Sequence, residues 1–75
     1  MAFEFKIVKP ICVISERDGW TKEINIVSWN HREPKLDIRS WNSDHTKMDK
    51  GITFTDKEVE TLYMALHNFI NERSE

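Results

Sequence analysis

Apolar and polar residues alternate through two stretches in the middle of the chain, then recur every three to four residues near its end. Successive side chains of a strand point to opposite faces. Ile24 and Ile26 therefore share one face and Asn25, Val27 and Trp29 the other. In the next segment Leu36 and Ile38 share one face, and Lys35, Asp37, Arg39 and Trp41 the other. These patterns predict a second strand over 20–29 and a third over 35–41. A first strand, rich in β-branched residues, is predicted from Phe3 to Glu16. Pro10 cannot donate to a ladder, so this is an edge or bent strand with a bulge near Lys9 and Pro10. Arg17-Asp18-Gly19 reads as the hairpin turn that ends it. Asn30 to Pro34 is a polar connection, Asn42 to Lys50 a loop without apolar periodicity except at Met48, and Gly51 to Thr55 a short fourth strand with Ile52 and Phe54 facing inward.

Thr55-Asp56-Lys57-Glu58 is a capping box, in which a threonine hydroxyl and a glutamate carboxylate satisfy each other's backbone amides. Val59, Leu62, Leu66, Phe69 and Ile70 follow at helical spacing and form one apolar stripe. Its expected partner is the face made by Ile24, Ile26, Leu36, Ile38, Ile52 and Phe54. The fold class is thus α+β: a four-stranded antiparallel sheet, then one C-terminal helix (β-β-β-β-α), with the other sheet face open. Tyr63, Met64 and Ala65 widen the apolar surface of the helix, which predicts a homodimer.

Seventy-five residues are expected to form one domain spanning 1–75. A chain this short buries only about 60% of its unfolded surface, so a second copy would help to stabilise it. The lone Cys12 cannot form an internal disulfide and reads as a small buried hydrophobe in a reducing compartment. No secretory pattern and no apolar run of about 20 residues is present, so a cytoplasmic location is expected. The net charge is −2, unlike a uniformly basic nucleic-acid binder. Its distribution is uneven: residues 1–55 hold nine Lys and Arg against eight Asp and Glu, and residues 56–75 hold two against five. The acidic excess belongs to the helix, and the sheet is close to neutral.

Two tryptophans and several cations on a sheet face suit single-stranded nucleic acid, which is held by aromatic stacking and by cations along the phosphates. Trp29 and Trp41 are the expected stacking rings, with Lys35 and Arg39 reaching backbone oxygens and Asp37 in a surface ion pair with Arg39 or Lys35, from which it would orient Arg39. Asn25 shares their face, and Arg32, Lys47 and Lys50 add cations from the flanking loops. Trp20 and Lys22 have the opposite parity, and a bulge after the hairpin would turn them onto the same face. A polypeptide docked on the same tryptophan-rich face or on the sheet edges is the competing reading. His31, His45 and His67 lack metal-ligand spacing. Neither a phosphate loop nor a nucleophile elbow nor a pair of carboxylates is present, so no enzyme, cofactor or small-molecule substrate is expected.

Lys35-Leu36-Asp37-Ile38-Arg39-Ser40-Trp41, then Lys50-Gly51-Ile52-Thr53-Phe54 and an acidic-capped helix, resemble the transcriptional positive coactivator (positive cofactor four) family, in particular its small bacterial YdbC-like branch. The resemblance covers residues 20–70. It implies a β-β-β-β-α dimer that binds single-stranded DNA, with RNA as a second candidate strand, in the bacterial cytoplasm or at the nucleoid. It further implies that Arg39 contacts phosphate, that Trp41 and Trp29 supply the aromatic contacts, and that Lys22 and Lys50 are basic contacts. A role in transcription, replication or repair would follow.

Overall fold

A computed structural model describes residues 4–73 of the chain. Phe3, the expected first residue of the first strand, lies outside the described residues. Four strands, β1 (Phe5–Arg17), β2 (Trp20–Trp29), β3 (Lys35–Trp41) and β4 (Ile52–Phe54), precede one helix, α1 (Asp56–Arg73). The sheet is an antiparallel meander in the order β1-β2-β3-β4. The predicted order and class are those observed.

Local chemistry explains the boundaries. Asp18 and Gly19 both have positive φ, 53° and 81°, the geometry of a two-residue hairpin turn matched to strand twist. Asn30 and His31 repeat it at φ 51° and 64°, and the Arg32 N–H donates to the Trp29 carbonyl at 2.9 Å. At the helix start the Thr55 N–H donates to Glu58 Oε1 at 2.8 Å, and the Glu58 N–H donates to Thr55 Oγ1 at 3.2 Å. This is the predicted capping box. Gly51 precedes β4 because the strands approach too closely for a side chain. A Cβ there would lie 2.5 Å from the Ile38 carbonyl oxygen and against the Arg39 side chain.

β1 is more irregular than one bulge allows. Its register against β2 shifts at Ile7/Lys9, Pro10/Cys12 and Val13/Ser15. Each extra residue is left unpaired and bends the strand. From Val8 to Arg17 both faces of β1 are open, and Val8, Ile11, Val13 and Ile14 stand in solvent. Cys12 is exposed too, so its reading as a buried hydrophobe is corrected. The β2–β3 register, by contrast, runs without a shift from Thr21↔Trp41 to Val27↔Lys35.

The core lies on the face expected to be open. Val27 and Trp41 are the buried apolar residues, each 0% exposed, and Glu23, Asn25 and Asp37 are buried beside them. All five have the parity of the tryptophan face. The face of Ile24, Ile26, Leu36 and Ile38 is only half-buried. The helix touches β3 and β4 alone, and Val59 and Leu62 are its half-buried apolar positions. Leu66, Phe69 and Ile70 are exposed, as is Ile52 at 62%, which was expected to face inward. A groove of about 410 Å³ runs between β4 and α1, lined by Ile52, Phe54, Leu62 and Ala65 among others.

The chain is also extended for its size. Its radius of gyration is 14.1 Å, against about 11 Å for a compact chain of this length. Its accessible surface is 6245 Å², where a compact monomer of this mass exposes about 4,900 Å². Much of the excess is apolar side chain on α1, β1 and β4.

Candidate nucleic-acid interface

The face that carries Trp41 is roofed by the segment between β3 and β4. Trp41 forms an isolated bridge with Met48, and the Asp49 N–H donates to the Ser40 carbonyl at 3.0 Å. These bonds lay Met48 and Asp49 along the edge of β3, ahead of β4, and bring the turn before them back against Trp41. Asn42 and Asp44 hold its turn: Asn42 Oδ1 accepts the Lys47 N–H at 2.9 Å, and Asp44 Oδ1 accepts the Thr46 hydroxyl at 2.6 Å. His45, at φ 59°, thereby reaches the sheet. Its ring lies 5.4 Å from Trp41, and the Phe5 ring lies 5.1 Å from Trp41. Indole packed between two rings gains both burial and favourable tilted contacts.

Two polar networks share this face. In the first, Arg39 Nε and Nη2 donate to Asp37 Oδ1 and Oδ2 at 2.7 and 2.8 Å. The Thr53 hydroxyl donates to Asp37 Oδ2 at 2.9 Å, and the Arg39 guanidinium sits 4.4 Å from the Trp29 ring centroid. Arg39 Nη1 reaches the Asp49 carbonyl at 3.4 Å and Met48 Sδ at 3.5 Å. The guanidinium is thus held edge-on by a carboxylate and face-on by an indole, the two geometries its planar shape favours. In the second network Glu23 accepts from the Thr21 hydroxyl, from Asn25 Nδ2 at 3.0 Å, and from His45 Nε2–H at 3.0 Å to both oxygens. Burial pushes the Glu23 carboxyl up. The hydrogen bonds from Thr21, Asn25 and His45, with the attraction of the His45 ring, outweigh it and hold the pKa below the ordinary 4.5.

These contacts correct several expectations. Trp41 is sealed and offers no free ring face in the single chain. Asn25, 2% exposed, serves Glu23 rather than a solvent-side ligand. Asp37 is fully buried, and the Arg39 side chain is 13% exposed, so their ion pair is not a surface one and Arg39 is committed inside the protein. Trp29 is half-buried beneath Arg39 and 5.9 Å from Phe5. Trp20 and Lys22 stay on the opposite face, because the bulges fall in β1 and leave the β2–β3 ladder in step. The remaining expected cations are exposed: Lys22 on β2, Arg32 at the second hairpin, Lys35 at the start of β3, and Lys47 and Lys50 on the roofing segment. Of these, Lys35 has the parity of the tryptophan face, opposite Val27, whereas Lys22 is on the other face and Arg32, Lys47 and Lys50 lie in the connecting segments. Sequence reasoning missed Glu23 and His45 as a pair; the one available signal was a histidine in a loop with no other evident role.

Among the described residues no three His, Cys, Asp or Glu side chains converge as a metal-binding group. Among the same residues no helix is long and apolar enough to cross a membrane.

Comparison with known proteins gives two matches. The model of the family described as Transcriptional Coactivator p15 (PC4) matches residues 16–65. An uncharacterized protein of Treponema pallidum (strain Nichols) is 42% identical over 57 residues, which cover 76% of this chain and 62% of that protein. The chain therefore spans less than two thirds of that relative's length.

Two outcomes follow from the networks. Asp37→Ala strands the Arg39 charge, and urea unfolding should show a loss of about 3–5 kcal/mol; an unchanged midpoint would contradict the assigned pairing. Because the folded pKa of Glu23 is depressed, its stabilisation is complete above pH 4.5 and is lost as the pH falls through the folded value. The stability difference between wild type and Glu23→Gln, measured from pH 7 to pH 3, should therefore shrink only on the acid side of 4.5.

Proposed function

Since this chain belongs to the Transcriptional Coactivator p15 (PC4) family, whose members bind nucleic acid, we propose that it binds single-stranded DNA, with little sequence preference, as a homodimer. The observation that carries this reading is the family match itself, because residues 16–65 include both the Lys35–Trp41 and Lys50–Phe54 segments. Charge placement supports it. Glu23 and Asp37 are turned inward and hydrogen-bonded, as is Arg39. Between residues 4 and 55 this leaves eight exposed Lys and Arg against six exposed Asp and Glu. The outer surface of the sheet is thus more positive than its composition.

The phosphate contacts fall to the exposed cations Lys22, Arg32, Lys35, Lys47 and Lys50. Arg39 and Trp41 act indirectly, by fixing β3, β4 and the segment between them. Dimerisation accounts for the extended shape. The excess of about 1,300–1,400 Å² over a compact monomer is on the scale that one subunit contributes to a permanent homodimer. The exposed Tyr63, Leu66, Phe69 and Ile70 of α1, with Ile52 of β4, are the apolar surface such an interface would cover.

Light scattering should return twice the 9.0 kDa chain mass, and Phe69→Asp should shift it toward one. Affinity for oligo-dT should fall linearly on a log–log plot against salt, with a slope of about −0.7 per phosphate neutralised. Lys35→Ala and Lys50→Ala should each flatten that slope by about one contact without altering the fold. A salt-independent titration, or no binding at all, would leave the polypeptide-docking reading, for which the exposed Val8, Ile11, Val13 and Ile14 of β1 speak.

A further inference from the structure

We propose that the cleft around Trp20, on the opposite sheet face from Trp41, is a base-stacking subsite of this chain, an inference that rests on the single-stranded-DNA reading above. Stacking requires an indole with a face to offer. Trp41 is sealed between Phe5 and His45, and the ring of Trp29 carries the Arg39 guanidinium. Trp20 is half-buried and takes part in none of the aromatic or cation–ring contacts found among the described residues.

The indole lines a cleft of about 540 Å³ together with Ser15, Arg17, Lys22 and Ser40. The ladder explains why these residues meet. Arg17 lies directly opposite Trp20, and Lys22 sits between Ser15 on one side and Ser40 on the other. A hydroxyl, an ammonium and a second hydroxyl therefore cross three strands two residues from the ring. The hairpin leaves the approach uncrowded: a Cβ at Gly19 would meet nothing within 4 Å.

Asp18 and Asp49 line the same cleft, and they decide which part of a strand it takes. Two carboxylates beside two cations leave no net positive charge, so a phosphate inside gains little. An uncharged base stacking on the indole meets no such opposition, and stacking tolerates any base. The strand thus turns a base onto Trp20 and leaves its phosphates outward, toward the solvent-exposed ends of Lys22 and Arg17.

The test measures fluorescently labelled oligo-dT by anisotropy against wild type, Trp20→Ala and Trp20→Phe, with circular dichroism as the folding control. Trp20→Ala should weaken binding about tenfold or more, and Trp20→Phe, which keeps a ring, should recover most of the affinity. In the wild-type protein the indole Nε1–H resonance that Trp20→Phe removes should shift on titration. Wild-type affinity in Trp20→Ala, or an unmoved Trp20 resonance while the oligonucleotide binds, overturns the subsite and leaves the broader reading intact. If Trp20→Ala fails to fold, the resonance alone decides. Absence of binding by the wild type overturns both.

Discussion

A buried carboxylate organises this protein. Asp37 lies in the middle of β3 with no exposed surface, where an unpaired charge would be expelled or protonated. It is kept by three donors that come from different parts of the chain: two from Arg39 on its own strand and one from Thr53 on β4. Thr53 ties β4, only three residues long, to the sheet. Arg39 in turn reaches the Asp49 carbonyl and Met48 sulfur of the roofing segment and lies on Trp29 of β2. Gly51 is a consequence, since only a residue without Cβ lets the chain pass Arg39 this closely. A buried ion pair contributes modestly to net stability once desolvation is counted. Its role here is better described as register, because β4 in any other alignment leaves the Asp37 charge without its Thr53 donor.

The second constraint is what the single chain fails to cover. One sheet face is filled by Val27, Trp41 and the Phe5 and His45 rings packed on Trp41; the other is met only at its β3–β4 end by a helix whose later apolar residues stand in solvent. Burial of apolar surface is the main favourable term in folding, and a chain of 75 residues that leaves Phe69, Ile70 and Ile52 outside has given up a large part of it. The extended shape has the same origin. The β1–β2 ribbon and α1 project from a small shared core, instead of closing on each other.

Much of this was legible in the sequence, and the part that was not has a definite cause. Alternation located β2 and β3 at their observed ends, Asp18-Gly19 marked the hairpin, and Thr55 with Glu58 marked the helix start, because each signal is local and carries its own geometry. Alternation also separated the two faces correctly, Ile24 and Ile38 from Asn25 and Trp41. It could not say which face would be covered. That depended on residues 42–50, which have no periodicity, and on His45 and Met48 reaching back to Glu23, Trp41 and Arg39. A face with Asp, Asn, Glu and Arg reads as solvated until their partners are known, and those partners lie 2 to 22 positions away. Cys12 was misplaced for a related reason: an apolar run in a strand implies burial only if another element covers it, and β1 packs on neither face from Val8 to Arg17.

The same inward sorting of polar groups alters how the charge of the molecule should be weighed. A net charge of −2 describes a chain, not a surface. Glu23 spends its charge on Thr21, Asn25 and His45, and Asp37 spends its own on Arg39, whereas the lysines of the sheet keep their ammonium groups in water. The helix carries the remaining acidic excess, and its first-turn Asp56 and Glu58 face the positive end of their own dipole. An approaching polyanion therefore meets exposed cations spread over the strands and loops, with repulsion concentrated along α1. Screening limits such fields to about 8–10 Å at ordinary ionic strength, so the lysines nearest a bound strand act on it far more than acids at the far end of a molecule 50 Å long.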